Sequence, residues 1–510
     1  MSSAADGSGE AKCGDQWKDS RRGLVMQVVT ALSLSVTGFS IGGSLAFTGV
    51  FTEQMTADQG VLPLTRSQIS WVASGYAIGN TLGCLVSSYV NPRLGTIRLV
   101  QLCAPALAGG WLLLALGGDF WTMLAGRTLT GLAVGIVFGP TITYIGEISS
   151  VNIRGVLALF FNLMLSFGML ITFLCGWKLG WRHTCLVVGI GPVVVMFLVS
   201  LMLPRSAKWL ISKGHPVEEA QRSLRFYHGK DYDVDQQIQK IRESLGEEHR
   251  HDASLFEVLQ LLRHRHYLVP FCLMLCMYVL FVFSGGFTTA SFAPVVFKDV
   301  GGFSNPYIGS ILVGALRVIT SIMMSYIVQK SERRTSLMIN GVVGGAACLV
   351  SGFFFHYSAA LADYAWVQLV SVLVIVSAMS LGIAPLTNLL LTELLPNAIR
   401  AEAGGILLTF FGTINFIMVY TFPLAVAAVD MSGVYWFFTV MHFLLFVFAK
   451  VCLPHTRGKS IEEVQKIFVK NVTNCASDPI HVHLKDKRGS LTYQTFPIHD
   501  SDSAKQSGSS

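Results

Sequence analysis

Charge is scarce in this chain: Asp, Glu, Lys and Arg make up 13% of its 510 residues, against about 25% in an ordinary soluble domain. So little charge cannot clothe a surface in water, whereas a helix in lipid needs none on its outer face. Acidic residues are scarcer still in the long apolar runs, and the central part of every run lacks them. Metal-binding patterns are missing as well. Cys272 and Cys276 stand one helical turn apart, with no second pair or nearby His to complete a site. No phosphate-binding glycine loop and no nucleophile paired with a base are present, so the sequence offers no catalytic residue, metal or cofactor. Most of the ten cysteines fall inside apolar runs, where Cys acts as a small hydrophobe, and none reads as a disulfide. The net charge of +7 does not imply nucleic acid, because the basic residues are spread over short segments rather than gathered in one patch. The polar start of the chain is not a cleavable signal peptide, which leaves the first apolar run to act as the signal.

What is present is hydrophobic: 52% of the residues, arranged in runs. A membrane-spanning helix needs about 20 predominantly apolar residues. Runs of that kind occupy 24–50, 68–90, 99–118, 121–145, 156–177 and 183–203, then 267–292, 307–329, 335–356, 366–391, 402–428 and 433–453. The expected fold is therefore an all-α membrane protein of twelve spans in two halves, 24–203 and 267–453. A hydrophilic segment, 204–266, separates the halves, with apolar periodicity that predicts short amphipathic helices. Residues 1–23 and 454–510 form the ends, and the Ser-, Asp-, Lys- and His-rich stretch from about 470 is expected to be disordered. Lys and Arg in short loops favour one side: Lys12, Lys18, Arg21, Arg22, Arg93, Arg98, Arg154, Lys330, Arg333, Arg334 and Arg400 against Arg66, Lys178, Arg182 and Lys298. That bias predicts cytoplasmic termini.

The halves echo each other. Glu147 precedes Arg154 by the same seven residues that separate Glu393 from Arg400. Arg98 after the second span has counterparts in Arg333 and Arg334 after the eighth, and Leu203-Pro204 closes the sixth span as Leu453-Pro454 closes the twelfth. Parallel six-helix repeats place a solute site between the halves near mid-depth. Carboxylate–guanidinium pairs at the span ends are expected to form a conformational latch, its members Arg127, Glu147, Arg154, Arg333, Arg334, Glu393 and Arg400.

These landmarks resemble the sugar porters of the major facilitator superfamily. The matching residues are Gly126-Arg127, Tyr144-x-x-Glu147 with Arg154-Gly155, and Pro204-x-Ser206-x-x-Trp209-Leu210. Ser284-Gly285, Pro385, Glu393-x-x-Pro396-x-x-x-Arg400 and Pro454-x-Thr456-x-Gly458-x-Ser460 continue the set. Asp231-Tyr232-Asp233 and Thr421-Phe422-Pro423 look most like insect facilitated trehalose and hexose transporters. The resemblance implies a carrier of a small solute, a sugar, in the plasma membrane, with the lipid bilayer as surroundings and no obligate protein partner. Departures from the family pattern fall on its sugar-binding positions. Phe281, Val282 and Phe287 stand where the family has a Gln pair and an Asn, Asn388 where it has Trp, and Asn162 where it has Gln. Pro92 and Gln329 replace polar loop positions, and no acid lies between Leu24 and Phe51, with Gly42 near the place of the proton-switching Asp. Facilitated diffusion is expected in place of proton symport.

Arg317 sits ten residues from each of Tyr307 and Ile327 in the eighth span, where the family usually has Gln. A mid-span Arg costs at least about 2.5–3.5 kcal/mol on insertion scales, so it is expected to face a cavity. Arg317, Asn162, Asn388, Asn415 and Tyr420, with Phe281 and Phe287, are the candidate solute pathway. The alternatives are a carrier of an anionic or other non-sugar solute through Arg317, and a non-transporting solute sensor.

Overall fold

The computed structural model describes residues 21–57, 64–150, 153–229, 232–248, 260–298, 305–330, 332–358, 360–395 and 400–453, together with 482–485 and 491–494. Among them, ten helical stretches are long and apolar enough to cross a membrane. Two are too long for one crossing: Arg154–Ser200 has 47 residues and Glu402–Val451 has 50, or about 70–75 Å at 1.5 Å per residue against a hydrocarbon core of about 30 Å. Each is broken near its middle. The backbone leaves the helical region at Gly180 (φ 71°) and at Asp430 (φ 59°). Ten stretches, two of them double, make the twelve spans expected.

Local sequence sets several boundaries. The second span, Arg66–Leu94, opens with a capping box in which the Thr65 side chain accepts from the Gln68 N–H and the Gln68 side chain accepts from the Thr65 N–H. Asp119 caps the fourth span, Phe120–Ile148, by accepting from Thr122.

Close packing within the first half depends on missing side chains. A Cβ at Gly131 would lie 2.1 Å from the Tyr76 carbonyl oxygen, and one at Gly168 would lie 2.1 Å from that of Phe39. Glycine at these positions lets the fourth span meet the second, and the fifth meet the first, at backbone distance. Gly42 belongs to the same packing, against the Leu165 carbonyl.

Between the halves, the fifth span packs on the eighth (Pro306–Lys330) and the second packs on the eleventh. Adding six to two gives eight, and adding six to five gives eleven. The two contacts are thus one contact generated twice by the internal repeat, which is the signature of a pseudo-two-fold axis.

Three short helices, Ala207–Ser212, Val217–His228 and Val234–Glu248, form the segment between the halves and share a small apolar core. They are tied to the first half. Gln27 donates to the Tyr227 carbonyl (2.9 Å) and accepts from the Ser150 N–H (3.0 Å), while Trp209 donates to the Pro92 carbonyl (3.3 Å). Tyr144 donates to the Pro204 carbonyl (2.5 Å) and shares a hydrogen bond with Tyr227 (2.8 Å). Burial at that junction pushes the Tyr227 phenol up to about 12. The tail departs from expectation at one point: Val482–Lys485 and Leu491–Gln494 pair as an antiparallel hairpin inside the stretch read as disordered.

Candidate functional site

Two spans of the second half are irregular near their middles. The seventh, Arg265–Phe283, stops at Ser284-Gly285 and restarts as Gly286–Ser291. Gly285 has φ 80°, and a Cβ there would lie 2.2 Å from the Phe438 ring, so this break requires glycine on both counts. The tenth span carries a π-turn at Met379–Ile383. The two irregularities face each other, since a Cβ on Gly286 would lie 2.7 Å from Met379 Cβ. Broken helices free backbone polar groups at mid-depth, which is where carriers place their solute.

Two arginines are buried within spans, and their surroundings differ. Arg127 is 1% exposed. Its Nε donates to the Val72 carbonyl (3.2 Å), its Nη1 to that of Ser44 (3.2 Å), and its Nη2 to Thr48 Oγ1 (2.6 Å) and the Ala73 carbonyl (3.2 Å). Every nitrogen of this guanidinium has an acceptor, and the acceptors are neutral. Arg317 is 9% exposed, and its Nε and Nη1 are buried with no hydrogen-bond partner. On the same face of the eighth span, Gly314 packs against Leu170, and Ser321 Oγ meets Ser166 Oγ at 2.7 Å. Both contacts are to the fifth span, so Arg317 lies in the seam between the halves. Asn162, one turn before Ser166 on the same helix, is exposed.

The other candidate residues separate. Tyr420 lies in the second seam, its ring 5.0 Å from that of Trp71 in the second span and 5.9 Å from that of Phe416. Phe281 stacks on Phe411 of the eleventh span at 5.5 Å with the planes 3° apart, one turn before Asn415. Phe287 is half-buried beyond the break in the seventh span, and Asn388 is exposed on the tenth.

The Glu/Arg landmarks also resolve individually. Glu393 pairs with Arg333 at 3.0 Å, joining the ninth and tenth spans within the second half. Arg334 donates to the Lys450 carbonyl. In the first half, Glu147 accepts from Ser206, the cap of the first inter-half helix, and Arg154 donates to the Ser149 carbonyl (3.3 Å). The Arg400 side chain lies outside the described residues. Arg127 sits twenty residues before Glu147 on one helix, about 30 Å away along its axis, and so does not belong with the span-end groups.

A polar cluster that the sequence reading missed joins the halves at the opposite face. Glu53 at the end of the first span accepts from the Tyr307 hydroxyl (2.9 Å) and lies 3.7 Å from Lys298 Nζ. The neighbouring Gln54 donates to Tyr307 (2.7 Å) and to the Gly176 carbonyl (2.9 Å), and accepts from the Trp181 N–H (2.8 Å). Below it, Gly49 packs against the Ser291 carbonyl. First and seventh spans are therefore in contact here, and the join is closed at this face. Glu53 lies just past Phe51, where the search for acids in the first span ended. An acid flanked by apolar turns at a span end was the signal available.

Residues 26–468 match the family described as sugar (and other) transporter. A facilitated trehalose transporter of Apis mellifera ligustica is 27% identical over 459 residues, covering 89% of this chain and 91% of that protein. The human solute carrier family 2, facilitated glucose transporter member 6, is 27% identical over 472 residues, covering 87% and 91%. Among solved structures, the inward open xylose transporter XylE of E. coli superposes with a TM-score of 0.72 at 21% identity, over 86% of this chain and 99% of that one. That likeness establishes the fold.

Proposed function

This chain belongs to the sugar (and other) transporter family, and on that premise we propose that it carries a sugar, trehalose or a hexose, down its gradient across the plasma membrane, with both termini cytoplasmic. It is a multi-pass membrane transporter; the solute, the direction and the mode are the parts proposed. Trehalose and glucose come from the names of its relatives. The cytoplasmic placement rests on the Lys and Arg bias of the loops.

The single observation carrying the mode is the environment of Arg127. Proton coupling needs a carboxylate whose protonation changes as the carrier turns over. The four acceptors of this guanidinium are three carbonyl oxygens and a hydroxyl, none of which titrates. Alternating access then follows from the two equivalent seams. Rocking one half against the other about the solute keeps the fifth–eighth and second–eleventh contacts as pivots. The Glu53–Tyr307–Lys298 cluster opens in one state and closes in the other. Purified protein in liposomes preloaded with unlabelled sugar, then offered labelled trehalose or glucose, tests this reading. Saturable exchange unaffected by collapse of a proton gradient supports it. Absence of exchange of these sugars and of organic anions alike, from folded, inserted protein, would favour the sensor.

A further inference from the structure

Burying an ion without a partner is costly, and a guanidinium cannot shed its proton to escape the cost. The chain shows that it can solve this problem inside a span, because Arg127 is served on all three nitrogens. It does not solve it at Arg317. Nε and Nη1 are buried and unpartnered, and every Asp and Glu among the described span residues lies at a span end: Glu53, Glu147, Glu393, Glu402 and Asp430. The contacts on either side of Arg317, Gly314 on Leu170 and Ser321 on Ser166, pin its helix to the opposite half. Arg317 is therefore held where the fifth and eighth spans meet, at the edge of the proposed solute path between the halves.

Resting on the carrier reading above, we infer that the sugar this site takes is an acid: a polyol bearing one carboxylate, of the hexuronate class, with Arg317 holding the carboxylate. Binding supplies the missing counter-charge, so the complex is better satisfied than the empty site. A neutral hexose offers hydroxyls to the same nitrogens but leaves the charge uncompensated. Loss of the Gln pair at Phe281 and Val282 has the same sense, since a charge-assisted pair replaces several weaker neutral hydrogen bonds as the source of affinity. Carriage of a monoanion by facilitated diffusion moves net charge, and its uptake must answer to membrane potential.

Liposomes holding the full chain, wild type or Arg317→Gln, are loaded with unlabelled D-glucuronate and offered labelled D-glucuronate, with D-glucose tested in parallel. The expected result is saturable glucuronate exchange exceeding that of glucose, accelerated uptake under an inside-positive potential, and a fall of about thirtyfold or more in Arg317→Gln, the penalty for truncating one side of a buried charge pair. Exchange of glucose or trehalose with glucuronate neither carried nor competing would overturn the acid assignment and leave the carrier reading intact. If nothing exchanges, thermal unfolding of the purified wild type decides. A rise in Tm with sodium glucuronate over matched sodium chloride, absent in Arg317→Gln, upholds the site while the carrier reading fails. No rise, or an equal rise with sodium sulfate, overturns the assignment, the latter in favour of an inorganic counter-ion. Because these arms use the wild type, a variant that fails to fold does not remove the test.

Discussion

Arg127 and Arg317 carry the same side chain inside spans, and the groups around them decide what each does. Thr48 is the only side-chain acceptor for Arg127, at 2.6 Å, and it also donates back to the Ser44 carbonyl at 3.2 Å. Replacing it by Val keeps the shape and removes a bond to a charged donor, worth roughly 1.5–3 kcal/mol. Thr48→Val is expected to lower the Tm of the purified protein clearly, while Thr48→Ser, which keeps the hydroxyl, loses less; equal loss in both would refute the hydrogen-bond account. Asn162→Ala should raise the half-saturating solute concentration several-fold in exchange assays with little change in Tm, because the side chain is exposed, one turn from the Ser166–Ser321 contact. A shift in Tm alone would make it a packing residue. Little of this was legible in the sequence. An isolated Arg in an apolar run signals function or partnership, but which carbonyls it meets depends on spans far apart in the chain. Gly42 illustrates the limit: linear position put it near the place of the proton-switching Asp, and helix phase turned it toward Leu165 while Ser44 and Thr48 face the arginine.

At the scale of elements, the break in the seventh span and the cluster at the opposite face govern motion. Gly285→Val places a β-branched residue at φ 80° and drives it into Phe438. Such strain costs of the order of 1–3 kcal/mol before the clash is counted. Folded yield should drop sharply, measured by size-exclusion recovery, and a normal yield with normal exchange would show that the break is not needed. The Glu53 cluster is different, because on the proposed mechanism it forms in one state and breaks in the other. Glu53→Gln removes the charge facing Lys298 and weakens the bond from Tyr307, so the population should shift toward opening at that face. Double electron–electron resonance between spin labels on the ends of the first and seventh spans would report a longer distance in Glu53→Gln. An unchanged distribution would show that the cluster does not hold that face closed. The spans themselves were readable from hydropathy, and so was the repeat, since both depend on local composition. Gly180 and Asp430 merely bend two long helices into pairs at loops the sequence had already placed. Contacts across the halves were not readable: Glu53 and Gln54 belong to the first span, Tyr307 to the eighth and Lys298 to the segment after the seventh, and they carry no shared pattern.

For the whole molecule, the inter-half helices are tied to the first half through Gln27, Tyr144 and Trp209, and the Arg333–Glu393 pair lies within the second. Each half is thus braced internally near its span ends, which suits two bodies that rock rather than deform. The shared seams, fifth on eighth and second on eleventh, are the pivots, and the solute sits between them. Counterflow in liposomes tests this account most directly. Vesicles preloaded with unlabelled sugar should take up labelled sugar to a transient overshoot, and the overshoot should persist when any proton gradient is collapsed. No overshoot from folded, inserted protein, or uptake that requires the proton gradient, would contradict it.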